Sequence, residues 1–505
     1  MITFKNVLTE KGLANIMVQV EYESIQLENS EKIYSYLDDI KLNNKRSLVY
    51  GDYDPDGMMS IEVWKDCFRQ IGYTNYTVFK YGERMHKLDP FAIRTAIVGR
   101  YDYIIISDAC TNELDKIKEL IQFGVKVIIV DHHRTKLTYA DFPSECAIVN
   151  STLETRTPLT VSAGALVFIL LDYYLHHRIR KVDTSTMACY ALISLYADCI
   201  EMSSKINRGI YYKAVAIPTK NLPADVRLFM KPYHQFTRRF IEFQYAPKLN
   251  CAFRQELFDL LNEYIDAKNY SSVVAMKSGI DTLQQIHQKS AEMTDKVTDI
   301  IEYKELDNFI LANINSVDNY VSVMDNKLYN YTGLVANKLA DRYGKCAVVW
   351  CSKGMEIKGS FRDLLSRNYL NVFQQFCEAE GHNSAFGMHI NPLEFNLFIK
   401  FLKKIDKKFT VESIENEPII MIHNSISPDS DLIEEIALYN EFSGTIPLAM
   451  IRVNFGSGFT QMKTKFGGYK YKWGEYAVSS SRNLVTDSQV LLKPVKGKKT
   501  RLYVV

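Results

Sequence analysis

The chain has 505 residues, with 61 Lys plus Arg against 59 Asp plus Glu, a formal charge of only +2. Hydrophobic residues make up 47% and charged residues 24%, ordinary values that exclude a disordered, collagen-like or disulfide-scaffold chain. The near-neutral total argues against a polyanion-coating protein, although a local basic surface can hide inside a balanced sum.

No apolar run reaches the ~20 residues that a membrane span needs. The start, MITFKNVLTEKG, has no apolar signal-peptide core. Nine Cys are scattered without a CxxC pair, which fits a reducing cytoplasm and argues against a structural zinc site. A cytoplasmic protein with no membrane partner is expected.

Taken in chain order, Ser47–Tyr50 is a short apolar run that ends in the acidic turn GDYDPDG, and Met58–Ile71 has helical spacing. YIIIS at 103–107 and VKVIIV at 125–130 are continuous β-branched runs, the pattern of strands buried on both faces. Helical segments separate them, the grammar of a parallel α/β sheet. Ser162–Tyr174 and Met187–Ile200 read as buried helices. Arg254–Ala267 and Ser278–Tyr303 read as a helical connector. A second α/β segment runs from Val321 to Lys404, with a helix at Tyr331–Tyr343, a strand at Cys346–Cys351 and a strand ending in KGSFR. The last hundred residues alternate in short runs with Gly and Ser between them, and a small β-barrel or sandwich is expected there.

Four pieces of the first half carry acidic or imidazole groups at predicted strand ends or on a nearby helix. They are Asp52, Asp54 and Asp56, then Asp108, then Asp131-His132-His133, then Asp198. In a parallel sheet all strand C-termini share one edge, so these groups converge. Packed carboxylates repel unless cations sit between them, and oxygen ligands with one or two imidazoles suit Mn²⁺ or Mg²⁺. A pair of ions ~4 Å apart can activate water for in-line attack on a phosphate. Each piece alone has a bland reading: a solvated Asp-rich turn, or a helix N-cap at Asp108. Their order along the chain favours metal-assisted phosphoester hydrolysis.

These residues resemble the motifs of the DHH phosphoesterase family. GDYDPDG is similar to its first motif, Asp108 to its second, Asp131-His132-His133 to its third and Asp198 to its fourth. TGLVANKLADRYG followed by KGSFR, and GHNSAFG at 381–387, are similar to the DHH-associated domain. Ala246–Arg254 (APKLNCAFR) and Asn207-Arg208 are similar to stretches of the RecJ single-strand exonuclease branch. The resemblance implies four parts: a DHH catalytic domain (1–215), a helical connector (216–320), a DHH-associated domain (321–404) and an OB-like β domain (405–505).

It also implies roles. Asp54 and Asp108 would hold one metal, with Asp52 compensating at Tyr50, where some members have His. Asp56, Asp108, His132 and Asp198 would hold the second. His133 would contact the scissile phosphate, and Asp131 would orient the histidines. Arg84, Asn250, Arg254, Ser360, Arg362 and His382 would bind the substrate. The implied activity is two-metal hydrolysis of single-stranded DNA from an end, 5′→3′, releasing 5′-mononucleotides. The implied partners are single-stranded DNA and a single-strand-binding protein or helicase. Departures at Phe253 and at His86-Lys87-Leu88-Asp89 bear on end recognition. Two alternatives share the motifs: a short-oligonucleotide or cyclic-dinucleotide phosphodiesterase, and a scaffold with a decayed site.

Residues 461–505 hold ten Lys or Arg and two acids. In KFGGYKYKWGEY, aromatics alternate with lysines, which places them on different faces of a strand. Lys470, Lys472 and Trp473 would serve as a single-strand platform, phosphates on lysines and bases on rings. The competing reading makes the rings the core face of a β domain.

Overall fold

The computed structural model describes residues 3–82, 87–155, 159–179, 181–230, 235–317, 328–353, 355–363, 369–382, 384–408, 419–425, 427–442, 448–456, 458–462, 469–480, 483–486, 488–496 and 499–505. Packing divides the chain into two units, 18–286 and 1–17 with 287–505, the second division falling inside the helix Val273–Ile300. No helix among the described residues is long and apolar enough to cross a membrane.

The unit 18–286 is built on a five-stranded parallel sheet. Its strands are β1 (Ser47–Gly51), β2 (Tyr76–Val78), β3 (Tyr103–Ser107), β4 (Lys126–Asp131) and β5 (Cys146–Asn150), ordered β2-β1-β3-β4-β5. Every residue of β1, β3 and β5 is buried, which is why these runs are continuously apolar rather than alternating. Helix Pro55–Ile71 follows β1, and Ala163–Arg178 and Ser185–Ala197 pack on it. Those last two helices are apolar all round because they are buried all round. The connector helices Ala246–Arg254 and Phe258–Asn269 complete this unit.

The other unit carries two sheets. One has six strands, β6 (Tyr303–Glu305), β7 (Phe309–Asn313), β8 (Cys346–Lys353), β9 (Glu356–Arg362), β10 (Glu378–His382) and β11 (Ala385–Ile390), ordered β10-β11-β9-β8-β7-β6. The helix Thr332–Tyr343 packs against β8 and β9.

The other sheet has seven strands: β12 (Ile419–Ile422), β13 (Ala449–Asn454), β14 (Phe459–Met462), β15 (Tyr469–Trp473), β16 (Tyr476–Ser480), β17 (Gln489–Val495) and β18 (Arg501–Val504). Their order, β12-β13-β17-β18-β16-β15-β14, leaves β12 and β14 at opposite edges, and β12–β13 and β16–β18 are parallel pairs. Among the described residues this is a mixed sheet backed by the helix Ser430–Glu441, and no ladder among them closes it into the expected OB-like barrel.

Residues 3–17 pack with this unit and not with the parallel sheet that follows them in sequence. Phe4 meets Tyr439 of the helix Ser430–Glu441 edge to face at 5.5 Å, and both rings are buried. A short helix with Phe4 and Leu8 on one face cannot bury them alone, and it finds its core at the far end of the chain.

Candidate metal centre

The acidic turn after β1 is closed by two glycines. A Cβ on Gly57 would lie 2.4 Å from the backbone N and O of Asp52, and one on Gly51 would lie 2.4 Å from the Gly57 carbonyl oxygen. Only glycine permits that approach. The turn then enters the helix Pro55–Ile71 three residues earlier than its apolar periodicity suggests. Asp54 is the N-cap and accepts the Gly57 N–H at 3.0 Å, with Pro55 at the first helical position.

Asp56 is almost fully buried and is held from a second helix. Its Oδ2 accepts the Ala163 N–H (2.9 Å), and its Oδ1 accepts the Gly164 N–H (2.8 Å) and the Ser194 hydroxyl (2.5 Å). Ser162 Oγ in turn hydrogen-bonds Ser194 Oγ. A Cβ on Gly164 would fall 2.6 Å from Ser194 Oγ, so a bare backbone is what lets this helix N-terminus reach the carboxylate. With Oδ1 occupied twice, Oδ2 is the oxygen that faces His132 Nε2, at 3.7 Å.

Asp108 follows β3 in the left-handed region (φ +63°), a conformation that Asp tolerates better than most residues. Its Oδ1 lies 3.2 Å from His132 Nε2, which is also 3.8 Å from Asp198 Oδ2. Asp198 is the C-cap of the helix Ser185–Ala197. Asp131 ends β4. Its Oδ1 accepts the backbone N–H of His132 (2.8 Å) and of His133 (3.2 Å) and the His133 Nδ1–H (2.7 Å), while Oδ2 accepts the Thr111 N–H (3.3 Å). His132 is thereby turned inward, with 16% of its side chain exposed, and His133 outward, with 53%.

Three groups of side chains have ligand atoms within 4.8 Å of one another: Asp52, Asp54 and Asp108; Asp56, His132 and Asp198; Asp108, His132 and His133. The electrostatics fit a cation. Burial, and then the charges of Asp56 and Asp54, push the Asp108 and Asp198 carboxyls well above the ordinary range. Asp131 goes the other way. Burial alone would raise it, but the hydrogen bond and charge of His133 hold it below the ordinary range, and the same hydrogen bond lifts His133 to about 9. This oxygen-rich set with imidazoles has the donor chemistry of a hard divalent ion.

Sequence reasoning missed three supporting residues. Ser162 and Ser194 look like ordinary helix serines. Asn150, fully buried at the end of β5, donates to Thr111 Oγ1 and to the His133 carbonyl (both 3.0 Å), tying the loops that carry Asp108 and His133. None has a sequence signature, because each acts on backbone or on a carboxylate distant in sequence. Asn207 works similarly: its amide donates to the carbonyls of Thr160 (2.8 Å) and Glu201 (2.6 Å), fixing the loop after Asp198. Tyr50 is buried and donates its hydroxyl to the Lys87 carbonyl (3.0 Å), so it is a packing residue.

The expected substrate contacts are distributed. Arg84 lies outside the described residues. Asn250 and Arg254 sit on the helix Ala246–Arg254 of the unit that carries the carboxylates. In that helix Phe253 packs on Tyr81 (5.2 Å), and Tyr81 on Tyr53 of the acidic turn (4.8 Å).

Ser360 and Arg362 are two apart on β9 of the other unit. Ser360 Oγ lies 3.0 Å from Thr332 Oγ1, and a Cβ on Gly333 would meet an Arg362 guanidinium nitrogen at 2.7 Å, so both residues flank the N-terminus of the helix Thr332–Tyr343. The His382 side chain lies outside the described residues, but its backbone pairs with Ala385. Gly381 before it has φ +136°, with Phe386 Cα 2.9 Å from a would-be Cβ.

Lys470 and Lys472 are exposed on β15, and Tyr471 and Trp473 are buried on its other face. The face separation is as expected, but Trp473 is 1% exposed and stacks on Phe459 at 5.3 Å. Its ring is core and has no face for a base. Phe466 lies outside the described residues.

Comparison with known proteins agrees with this geometry. Residues 46–199 match the DHH family, N-terminal domain. The chain is 24% identical over 299 residues to the single-stranded-DNA-specific exonuclease RecJ of Bacillus subtilis, covering 57% of this chain and 36% of that one. It is 22% identical over 238 residues to RecJ of Thermus thermophilus, covering 46% and 34%. The chain thus spans well under half the length of these two curated relatives.

The crystal structure of RecJ in complex with Mn²⁺ from Thermus thermophilus superposes with a TM-score of 0.69 at 16% identity, over 99% of this chain and 74% of that one. The Mg²⁺ complex gives 0.66 at 15%, over 99% and 73%. The carboxylates and histidines of the site all fall inside the segment that matches the DHH family's N-terminal domain, and the chain has the fold of RecJ.

Proposed function

We propose that the chain is a divalent-metal-dependent exonuclease that hydrolyses single-stranded DNA by a two-metal route, 5′→3′, releasing 5′-mononucleotides. The observation that carries this reading is the convergence of Asp52, Asp54, Asp56, Asp108, His132 and Asp198 at one sheet edge, in overlapping ligand groups. Similarity to RecJ proteins supplies the substrate class. Retention of all these groups speaks against a decayed scaffold.

Asp52, Asp54 and Asp108 would hold one ion, and Asp56, Asp108, His132 and Asp198 a second, of the Mn²⁺ or Mg²⁺ class. Ions bound there supply Lewis acidity toward water and a phosphate oxygen. The chain's own work is positional. The Ala163 and Gly164 N–H groups and Ser194 aim Asp56 Oδ2 inward. Asp131 fixes the ring of His133, whose outward face can donate to a phosphate oxygen. Ser360, Arg362 and the adjacent helix N-terminus form a basic, donor-rich surface suited to a phosphate.

Digestion of 5′- and 3′-labelled single-stranded DNA and RNA with Mn²⁺ tests the reading. Mononucleotides released progressively from the 5′ end of DNA are expected. Cleavage confined to very short oligonucleotides or cyclic dinucleotides would overturn it.

The Asp56 clamp gives a separate prediction. Ser194→Ala frees Oδ1 and loosens the carboxylate, so Mn²⁺ affinity should fall ~10–100-fold, the usual effect of removing a ligand's hydrogen-bond partner. Calorimetric titration of the apoprotein with Mn²⁺ checks this without reference to turnover.

A further inference from the structure

On the same edge of the parallel sheet lies a solvent-open cavity of about 1030 Å³ that the metal centre does not use. Two of its walls continue directly from the catalytic motifs: residues 112–118 follow Asp108, and residues 134–137 follow His133. Five cationic side chains line it, Lys87, Lys116, Lys118, Arg134 and Lys136, against the acids Glu113 and Asp115.

Two of these charges are spent on the fold. Lys116 Nζ pairs with Glu113 Oε1 (2.6 Å) and donates to the Leu88 carbonyl (2.6 Å), while Glu113 Oε2 accepts the Leu88 N–H (2.7 Å). This pair pins the segment that bears Lys87. Lys87, Lys118, Arg134 and Lys136 are exposed, and none is in an ion pair among the described residues. Four cations against Asp115 alone thus face one open volume.

The lining also says what kind of anion fits. Small-molecule sites are mostly apolar and aromatic, with volumes of ~300–1,000 Å³. This cavity is at the top of that range, is open, and offers only Leu114 and Leu137 as apolar walls, with no aromatic ring for a base. Such a surface can neutralise phosphates and has no ring on which a nucleobase could stack. That is the requirement for a backbone track and not for a nucleotide pocket.

We propose that this cavity is a second, sequence-independent seat for the phosphodiester backbone of a single-stranded nucleic acid, beside the carboxylate site. The proposal rests on the nuclease reading for its substrate class. It differs from that reading in its residues and in its measurable consequence.

The test is the binding of a fluorescent oligothymidylate to the full chain with metal chelated, over a salt series. The parent is compared with the double variant Lys118→Ala/Lys136→Ala, both positions being exposed. Each neutralised phosphate contributes ~0.7 to the slope of log K against log salt for single strands, so the variant should lose about 1.4 from that slope and bind roughly tenfold more weakly near 0.1 M salt.

An unchanged slope and affinity would overturn the proposal, as would a parent that binds no strand. Competition by thymidine 5′-monophosphate at strand-like concentration would mark a mononucleotide site and overturn it equally. Hydrolysis of labelled DNA by the parent, measured in parallel, reports on the nuclease reading independently.

Discussion

Asp108→Asn should abolish metal-dependent hydrolysis while leaving a folded protein. Asp108 belongs to two of the three candidate ligand groups, as His132 does, so its carboxylate charge would serve both sides of the site. Asn keeps the shape and one oxygen but removes the charge. A loss of ~10³-fold or more in turnover is expected, about 4 kcal/mol of barrier.

The substitution is chosen for the backbone. At φ +63° Asn is among the best-tolerated residues, whereas Ala would add strain. Without metal the variant should be at least as stable as the parent, because burial and the charges of Asp56, Asp54 and Asp52 already oppose ionisation of Asp108. With Mn²⁺ the parent's melting temperature should rise, and the variant's rise should be much smaller, since stabilisation by a ligand follows its affinity. A variant that keeps both its turnover and its Mn²⁺-induced shift would remove Asp108 from the centre of the site.

Most carboxylates and histidines of the candidate site stand out in the sequence because they follow continuous apolar strands, whereas Asp198 caps a helix. YIIIS and VKVIIV each end at a site residue. What holds those residues was not legible. The donors to Asp56 include two backbone N–H groups more than a hundred residues away, and backbone carries no sequence mark. Gly164 reads as a weak helix residue and becomes informative only when Ser194 is seen against it.

In the C-terminal part, alternation correctly separated Lys470 and Lys472 from Tyr471 and Trp473. It could not say which face was wet. The apolar partner Phe459, on a neighbouring strand, decided that for Trp473. The docking of Phe4 on Tyr439 was illegible for the same reason: pairing between distant segments leaves no local period.

The largest stability effect is expected away from the candidate metal ligands, at Lys268. Its Nζ lies 2.7 Å from Asp225 Oδ2 and 3.4 Å from Glu62 Oε1, with its side chain 5% exposed. Asp225 also accepts the hydroxyls of Tyr190 (3.0 Å), Tyr245 (2.7 Å) and Tyr264 (3.4 Å). Glu62 is on the helix that carries Asp56, and Tyr190 is on the helix that ends at Asp198, so this network fixes two elements of the site from behind.

Burial opposes ionisation of both partners. Even so, the Lys268 charge and the hydroxyl donors keep Asp225 below the ordinary carboxylate range, and Asp225 and Glu62 keep Lys268 above the ordinary amine range. The signs follow. Asp225 contributes stability above its unfolded pKa of ~3.9, lost as pH falls through its lower folded value. Lys268 contributes below its unfolded pKa of ~10.4, lost as pH rises through its higher folded value. Between those limits the parent's network is insensitive to pH.

Lys268→Met removes one partner and leaves Asp225 charged and buried, at a cost of about 3–5 kcal/mol near pH 7. Without the cation, burial opposes the Asp225 charge with only the tyrosine hydroxyls left to hold it, so its carboxyl should rise above its unfolded value and take up a proton more readily in the fold as pH falls. The deficit should therefore shrink as pH is lowered from 8 toward 5, opposite to the usual acid destabilisation. Urea denaturation of parent and variant across that range measures it. A deficit that stays constant with pH would mean that the tyrosine hydroxyls alone keep Asp225 ionised.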